Sequence, residues 1–331
     1  MTLPKKKRFF CMNILFQKTN INKQSVIKIT GSKSESNRLL LLQALFPDLT
    51  IDNISNSDDS QLMINALKSN SNVIDIHHAG TAMRFLTAFF ATQEGREVTL
   101  TGSARMKERP IEILVDALRS LGAKIDYIEN EGYPPIKIVG KKLIKSKVVL
   151  KANVSSQYIS ALLLIASKLE NGLELKLEGE VTSVPYINMT LSLLEEIGVK
   201  TVFKDNTILI QPKLTGTVAT NLTVESDWSS ASYFYSIIAL SPVGTEIVLS
   251  SYKQNSLQGD SVLAQIYEQL GVSTSFKKNE LLLKKENQSY KPLVLNLKNA
   301  PDIAQTIAVT CFGLGISCDL TGLHTLKIKE T

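Results

Sequence analysis

One pattern recurs three times along this sequence and limits the folds that it can adopt. Each copy contains a strand, a polar loop, an amphipathic helix and then two short strands. The helix of each copy ends at a glycine, Gly122, Gly198 or Gly271, so the copies are 76 and then 73 residues apart. Glycine at this place is typical of a helix that ends in the left-handed conformation. The sequence therefore predicts an α/β (α+β) protein built from repeated units.

A second pattern joins a strand to a polar loop that opens an apolar helix. The loops are residues 31–38 ("GSKSESNR"), 78–81, 153–157, 227–230 and 299–302. The first turn of a helix has unpaired N–H groups and the positive end of the helix dipole, and both favour an anion. Ser, Asp, Asn and Gly are also ordinary helix caps, so each loop alone is more typical of a cap than of a site.

The basic side chains in and beside these loops favour the anion-binding interpretation. A cation in the first turn of a helix opposes the dipole, and a bound anion would offset that unfavourable interaction. The basic residues in question are Lys33, Arg38, Arg84, Arg105, Lys107 and Arg109. Glu35 is the acidic exception, and we expect its side chain to point away from the ligand.

Hydroxyl, amide and carboxyl groups complete the set of candidate site residues. Ser155, Ser156 and Gln157 add neutral donors to one loop. Together with the forked donors of Arg and the mobile charge of Lys, they predict recognition of phosphate and carboxylate groups. Asp302 occupies a helix start where an anionic ligand would repel it. From the residues alone, two roles for Asp302 stay open, a helix cap and a general base.

Size and charge narrow the class of protein. A chain of 331 residues is long enough for two domains, since single cores stop growing at about 250 to 300 residues. The 37 basic and 31 acidic residues give a net charge of +6, which suits anionic small molecules as well as nucleic acid. The basic run at residues 5–8 is more typical of a frayed terminus than of a nucleic-acid patch, because the rest of the chain lacks interleaved basic and aromatic residues.

The sequence also predicts the cellular compartment of the protein and the absence of a membrane helix, a metal and a cofactor. No stretch approaches the roughly 20 apolar residues of a membrane helix. The three cysteines and three histidines show no disulfide or metal-ligand spacing. Reduced thiols are typical of a cytoplasmic protein, and we expect neither a metal nor a cofactor.

Eight motifs, in order along the chain, make it similar to a known family. They are "GSKSESNR" (31–38), "AGTAMR" (79–84), "RMKERP" (105–110), "VSSQY" (154–158), "SVPYI" (183–187), "SDWSSASYF" (226–234), "PDIAQT" (301–306) and "KIKET" (327–331). The chain resembles the 5-enolpyruvylshikimate-3-phosphate synthases. This family transfers the enolpyruvyl group of phosphoenolpyruvate to the 5-hydroxyl of shikimate 3-phosphate and releases phosphate, in the shikimate pathway to chorismate and aromatic amino acids.

The resemblance implies an enzyme, a 3-phosphoshikimate 1-carboxyvinyltransferase of the class that glyphosate targets. It implies a cytoplasmic monomer that acts on two small-molecule substrates without a cofactor, nucleic acid or membrane. It also implies the two-domain enolpyruvyl transferase fold of repeated βαβαββ units. Residues 1–30 and 225–331 would form a discontinuous first domain, and residues 31–224 the second. Closure of the two domains would bring distant loops together and exclude water.

The resemblance assigns catalytic roles to three residues. Asp302 would take the proton from the 5-hydroxyl, and Glu330 would protonate the methylene carbon of phosphoenolpyruvate. Lys33 would contact both substrates. The residues implied to contact shikimate 3-phosphate are Lys33, Ser34, Arg38, Ser155, Ser156, Gln157, Ser183, Asp302 and Lys329. Those implied to contact phosphoenolpyruvate are Lys33, Gly80, Arg105 and Gln157.

The family continues for roughly one further repeat after the motif that ends here at Thr331. We therefore expect an incomplete first domain with exposed apolar surface, and little or no turnover by this chain alone. Two alternatives stay open. One is a non-catalytic substrate-binding remnant on the same scaffold. The other, less favoured because the catalytic cysteine loop is not found, is a UDP-N-acetylglucosamine enolpyruvyl transferase.

Overall fold

The computed structural model describes residues 20–151, 155–179, 184–213 and 220–323, and also positions 15, 17, 181 and 326. The predicted site residues Ser183, Lys329 and Glu330 lie outside the described residues, as does the basic run at residues 5–8.

Strands and helices alternate along the described part of the chain. The strands are β1 (Gln24–Ile27), β2 (Thr50–Asp52), β3 (Val73–Asp75), β4 (Glu97–Thr101), β5 (Lys124–Tyr127), β6 (Ile136–Val139), β7 (Lys147–Lys151), β8 (Leu173–Glu178), β9 (Thr201–Lys204), β10 (Thr207–Ile210), β11 (Asn221–Thr223), β12 (Glu246–Ser250), β13 (Val272–Lys277), β14 (Glu280–Lys285), β15 (Leu293–Asn296) and β16 (Cys318–Thr321). The helices are α1 (Lys33–Leu45), α2 (Asp58–Lys68), α3 (Gly80–Ala91), α4 (Ala104–Lys107), α5 (Glu112–Leu121), α6 (Ser156–Ala166), α7 (Val184–Glu196), α8 (Trp228–Ala239), α9 (Leu263–Glu268) and α10 (Ala304–Leu314). Two 3₁₀ turns, Gly259–Val262 and Pro301–Ile303, precede α9 and α10.

Three four-stranded sheets share one topology, which confirms the repeated unit. Their strand orders are β3-β4-β6-β5, β7-β8-β10-β9 and β1-β12-β14-β13. In each sheet the first two strands are parallel and the remaining pairs are antiparallel. Helix α3 or α6 joins the parallel pair of the first two sheets, and α5 or α7 leads into the hairpin, which gives the order βαβαββ. Gly122, Gly198 and Gly271 have positive φ angles of 110°, 79° and 74°, as the repeat predicted.

The buried apolar side chains form two separate clusters. The first runs from Leu39 to Val224, and the second contains Ile29 and runs from Trp228 to Cys311. We call the structure around the first cluster the larger lobe and that around the second the smaller lobe. The domain boundaries near residues 30 and 225 stay a prediction. The two clusters support it, because buried residues change from one cluster to the other at these two places in the sequence. Among the described residues, no helix is long and apolar enough to cross a membrane.

The chain passes between the lobes twice, and the two passages lie side by side. We call residues 29–32 the first crossing and residues 224–227 the second. The N–H of Ser32 donates to the carbonyl of Glu225 at 2.8 Å, and that of Asp227 donates to the carbonyl of Thr30 at 3.2 Å. A Cβ on Gly31 would overlap the carbonyl of Asn53, so the first crossing has room for glycine only. Helix α1 begins directly after it.

Candidate active site

Helix starts of both lobes carry the predicted site residues. Some of these helix starts are capped by a side chain, and others are not. The hydroxyl of Ser155 accepts from the N–H of Gln157 at the start of α6, and the carboxylate of Asp227 accepts from the N–H of Ser230 at the start of α8. At α1 and α3, the residues at the cap positions, Ser32 and Ala79, make no side-chain hydrogen bond to the first turn. The first turns of α1 and α3 are therefore the better candidates for an anion that accepts N–H bonds.

At the start of α1, Lys33 is exposed and Arg38 is buried. Arg38 is 3% exposed. Its Nη1 donates to the carbonyl of Ser34 at 2.7 Å, its Nε to the hydroxyl of Thr190 at 2.8 Å and its Nη2 to the hydroxyl of Ser160 at 3.0 Å. Burial lowers the pKa of Arg38 to about 10, which still leaves the side chain charged at neutral pH. Arg38 thus joins α1 to α6 and α7, while Lys33 faces solvent.

The starts of α3 and α6 lie next to each other. The amide of Gln157 donates to the hydroxyl of Thr81 at 3.1 Å, so the predicted residues Gly80 and Gln157 are brought together. A Cβ on Gly80 would collide with the guanidinium of Arg109, and only a glycine leaves that guanidinium its place over the first turn of α3. Uncapped N–H groups and a forked cation therefore lie together.

The structure separates the two arginines of the "RMKERP" motif. Arg105 is on the short helix α4, where it pairs with Glu108 at 3.0 Å and its side chain is 66% exposed. Arg109 follows the end of α4 and turns back onto Gly80. The role of Arg105 at the phosphoenolpyruvate site, which the family resemblance implies, stays a prediction. Arg109 also reaches the start of α3.

Behind Arg109 lies a second, buried guanidinium. The Nη1 of Arg84 donates to the carbonyl of Gly80 at 3.1 Å, and its Nη2 donates to the carbonyl of Pro110 at 2.9 Å. Burial lowers the pKa of Arg84, and the charge of Arg109 lowers it further, against the raising effect of Tyr158. Because two like charges approach each other here, an anion at the start of α3 would relieve their repulsion.

Asp302, in the 3₁₀ turn before α10 of the smaller lobe, contacts the larger lobe. The hydroxyl of Tyr186, in the first turn of α7, lies 3.5 Å from its Oδ2. The pKa of Tyr186 is raised, chiefly by burial and then by the charges of Asp302 and Asp260. The hydroxyl therefore stays protonated and donates to the carboxylate. Sequence reasoning missed Tyr186 as a site residue, although it lies within the "SVPYI" motif.

Of the other predicted site residues, two lie at the start of α6. Ser155 and Ser156 lie at the start of α6, where the Ser155 hydroxyl serves as the cap. Among the described residues, no group of three or more His, Cys, Asp or Glu side chains could hold a metal ion. What the described residues offer is a set of cations and N–H donors on the larger lobe, opposed by one oriented carboxylate on the smaller lobe.

Comparison with known proteins gives consistent matches along the chain. A family profile described as EPSP synthase (3-phosphoshikimate 1-carboxyvinyltransferase) matches residues 67–331. The 3-phosphoshikimate 1-carboxyvinyltransferase of Bacteroides fragilis strain YCH46 is 48% identical over 310 residues, which cover 93% of this chain and 75% of the relative. The 3-phosphoshikimate 1-carboxyvinyltransferase of Haemophilus influenzae is 35% identical, and the match covers 93% of this chain and 77% of that relative. The solved structure of an EPSP synthase from Acinetobacter baumannii has a TM-score of 0.74 at 20% identity and covers 93% and 75%, which shows the likeness of fold.

Proposed function

This chain belongs to the EPSP synthase (3-phosphoshikimate 1-carboxyvinyltransferase) family, and from that premise we propose how its described residues serve enolpyruvyl transfer. The reaction adds the 5-hydroxyl oxygen of shikimate 3-phosphate to C2 of phosphoenolpyruvate while a proton goes to C3. The tetrahedral intermediate then loses phosphate from C2 and a proton from C3, which restores the carbon–carbon double bond and forms the enol ether product. The protein has to hold two anions together, remove one proton and stabilise the departing phosphate.

The start of α3 binds phosphoenolpyruvate, with Arg109 in the role that the family resemblance assigned to Arg105. The single observation that carries this proposal is the placement of the Arg109 guanidinium on Gly80. The N–H groups of the first turn and the forked guanidinium provide donors for one phosphate or carboxylate group. Gln157 lies beside them through Thr81, and Arg84 adds positive charge from behind.

The starts of α1 and α6 bind shikimate 3-phosphate. Lys33 and Ser34 begin α1, and Ser156 and Gln157 begin α6. Lys33 is exposed and supplies a mobile cation that can contact both substrates. Arg38 acts here through its bonds to Ser34 and Thr190, which fix the first turn of α1. Direct contact between Arg38 and the phosphate, like the roles of Ser183 and Lys329, stays a prediction.

Asp302 accepts the proton of the 5-hydroxyl. Tyr186 contacts one carboxylate oxygen and so fixes the orientation of the base toward the larger lobe, where the cations lie. A base on one lobe and anion sites on the other make lobe closure the step that assembles the reacting groups. Protonation of the methylene carbon by Glu330 stays a prediction. We also propose that the protein is a cytoplasmic monomer that binds neither nucleic acid nor membrane.

The test compares Arg109→Ala with Arg105→Ala, a matched loss of one guanidinium four residues away. We expect Arg109→Ala to weaken phosphoenolpyruvate binding, measured by calorimetry in the presence of shikimate 3-phosphate, by at least tenfold, which corresponds to the loss of a charge-assisted hydrogen bond. Arg105→Ala should stay within twofold of the wild type. Equal losses in the two variants, or a loss in Arg105→Ala alone, would contradict the proposed site.

Phosphate release tests turnover itself and separates an enzyme from a substrate-binding remnant. An enzyme should lose phosphate release in Asp302→Asn while it keeps shikimate 3-phosphate binding, because the variant lacks only the base. A remnant would bind and show no release in the wild type either.

A further inference from the structure

A buried carboxylate with no part in the proposed reaction lies where the two lobes join. Glu35 is in the first turn of α1, two residues after Lys33, and its side chain is 1% exposed. Its Oε1 accepts from the backbone N–H of Glu225 in the second crossing at 3.3 Å. The Nζ of Lys253, which follows β12 in the smaller lobe, lies 3.9 Å from the same oxygen. One side chain of the larger lobe therefore contacts one group in the second crossing and one group in the smaller lobe.

The partner group Glu225 is itself fixed by the smaller lobe. Its Oε1 accepts from the indole N–H of Trp228 at 2.8 Å and from the backbone N–H of Lys253 at 3.0 Å. Its Oε2 accepts from the hydroxyl of Ser256 at 2.6 Å. The backbone of Glu225 is thus held in place, so a bond from its N–H to Glu35 positions α1 and not the reverse.

Glu35 is an unfavourable choice for packing alone. Burial raises its pKa to about 7, with Lys253 lowering it and the charges of Glu225 and Glu196 raising it. Arg38, one turn further along α1, is a further charged group that interacts with it. A glutamine at this position would accept the same N–H bond without the burial of a charge, and a leucine would need no partner at all.

We propose that Glu35 is a positioning residue, which holds the first turn of α1, with Lys33 and Ser34, against the second crossing and Lys253. The proposal rests on the proposed function in one respect, that the start of α1 binds shikimate 3-phosphate. When Glu35 is charged it contacts both the Glu225 N–H and Lys253. When it is protonated it keeps the N–H bond and loses the attraction of Lys253. Because burial raises the pKa of Glu35 to about 7, the folded structure favours the protonated side chain, and the start of α1 is held to the smaller lobe less firmly above neutral pH than below it.

The variants separate these contacts. Glu35→Leu removes both, and Glu35→Gln keeps the acceptor and removes the charge. Glu94→Gln is the control, because Glu94 is an exposed carboxylate of the same lobe, between α3 and β4. The first measurement needs no substrate and follows amide hydrogen exchange of residues 32–37 and 225 at pH 8. We expect exchange there to rise at least tenfold in Glu35→Leu and less than threefold in Glu35→Gln and in the control.

The second measurement is the affinity for shikimate 3-phosphate at pH 6 and pH 8, together with the midpoint of thermal unfolding. We expect Glu35→Leu to bind at least tenfold more weakly at pH 8 without a lower midpoint, because the buried charge is gone. We expect Glu35→Gln to lose the pH dependence that the wild type shows between pH 6 and pH 8. The single tryptophan, Trp228, bonds to Glu225, and its emission should show the same pH dependence.

The outcomes decide between the interpretations. A lower midpoint with faster exchange throughout the chain would make Glu35 a structural residue and overturn the proposal. Unchanged exchange at residues 32–37 in Glu35→Leu would also overturn it. If the wild type fails to bind shikimate 3-phosphate, the proposed function fails for this chain, and the exchange measurement alone then decides whether Glu35 positions α1.

Discussion

The two lobes contain the same kinds of strand and helix, but the side chains of their central helices are buried to different extents. In the larger lobe, α3 and α6 pack against each other and nearly all their side chains are buried. The described residues of this lobe form two four-stranded sheets and the two-stranded sheet β2-β11. In the smaller lobe, α8 and α10 pack against each other through Ser232 and Thr306 at 3.0 Å. There the described residues form one four-stranded sheet and the two-stranded sheet β15-β16.

The difference is visible in which apolar side chains meet solvent. Phe85 of α3 is fully buried, whereas Phe312 of α10 is 88% exposed. Tyr233 of α8 and Val309 of α10 are also exposed. An apolar helix in this repeat is thus buried only where neighbouring units cover it, which is the behaviour expected of stacked repeats. Hydrophobicity along the sequence shows which helices have apolar surface on all sides. It does not show which of those helices are buried by neighbouring elements.

The largest expected effect is the loss of a core aromatic ring in the larger lobe. Phe85→Ala should lower the free energy of unfolding by about 3 to 5 kcal/mol, since it removes a buried ring and leaves a cavity. Phe312→Ala is the matched control in the smaller lobe and should change it by less than about 0.5 kcal/mol. Urea denaturation followed by circular dichroism measures both. Similar losses in the two variants would show that the lobes do not differ in the way described.

Much of this architecture could be predicted from the sequence, because the repeat has local signals. Glycines at helix ends and polar loops before apolar helices depend on backbone conformation and capping, which act within a few residues. The loops that contain Gly80 and Gln157 were predicted in this way to be helix starts, and the structure places both residues in first turns that lie side by side.

The parts that could not be predicted depend on contacts between distant segments. Arg105 and Arg109 stand four residues apart in one motif, and nothing local distinguishes them. Helix α4 ends at Lys107, so Arg109 leaves the helix and returns to Gly80. The sequence led us to expect that Glu35 points away from the ligand. Its contacts with Glu225 and Lys253 could not be predicted, because they depend on how the two crossings lie side by side.

A second, smaller effect concerns pH and the place where the lobes join. The pKa values of Glu35, about 7, and of Glu225 are both raised above the ordinary value, chiefly by burial. The folded chain therefore binds more protons than the unfolded chain at mildly acidic pH, and its stability should fall as the pH rises from about 5 to about 7, by up to about 3 kcal/mol for Glu35.

Glu35→Gln should remove that part of the pH dependence. The variant should match the wild type near pH 5 and be more stable near pH 8. Urea denaturation across this range, with Glu94→Gln as the control, measures the difference. A wild type whose stability rises steadily from pH 5 to pH 8 by the same amount as that of Glu35→Gln would show that the buried carboxylates do not contribute.

The smallest expected effect concerns the exposed rings of α8 and α10. Phe312→Ser should leave the free energy of unfolding within about 0.5 kcal/mol of the wild type, because the side chain is 88% exposed and loses few contacts. The same change should reduce binding of the fluorescent dye ANS, which reports exposed apolar surface. Val26→Ser is the control, since Val26 is an exposed apolar residue of β1 in the same lobe, 77% exposed. A reduction that is equal in the two variants would mean that exposed apolar side chains anywhere on the smaller lobe bind the dye, and the contrast between the lobes would then rest on the sheets instead of on α8 and α10.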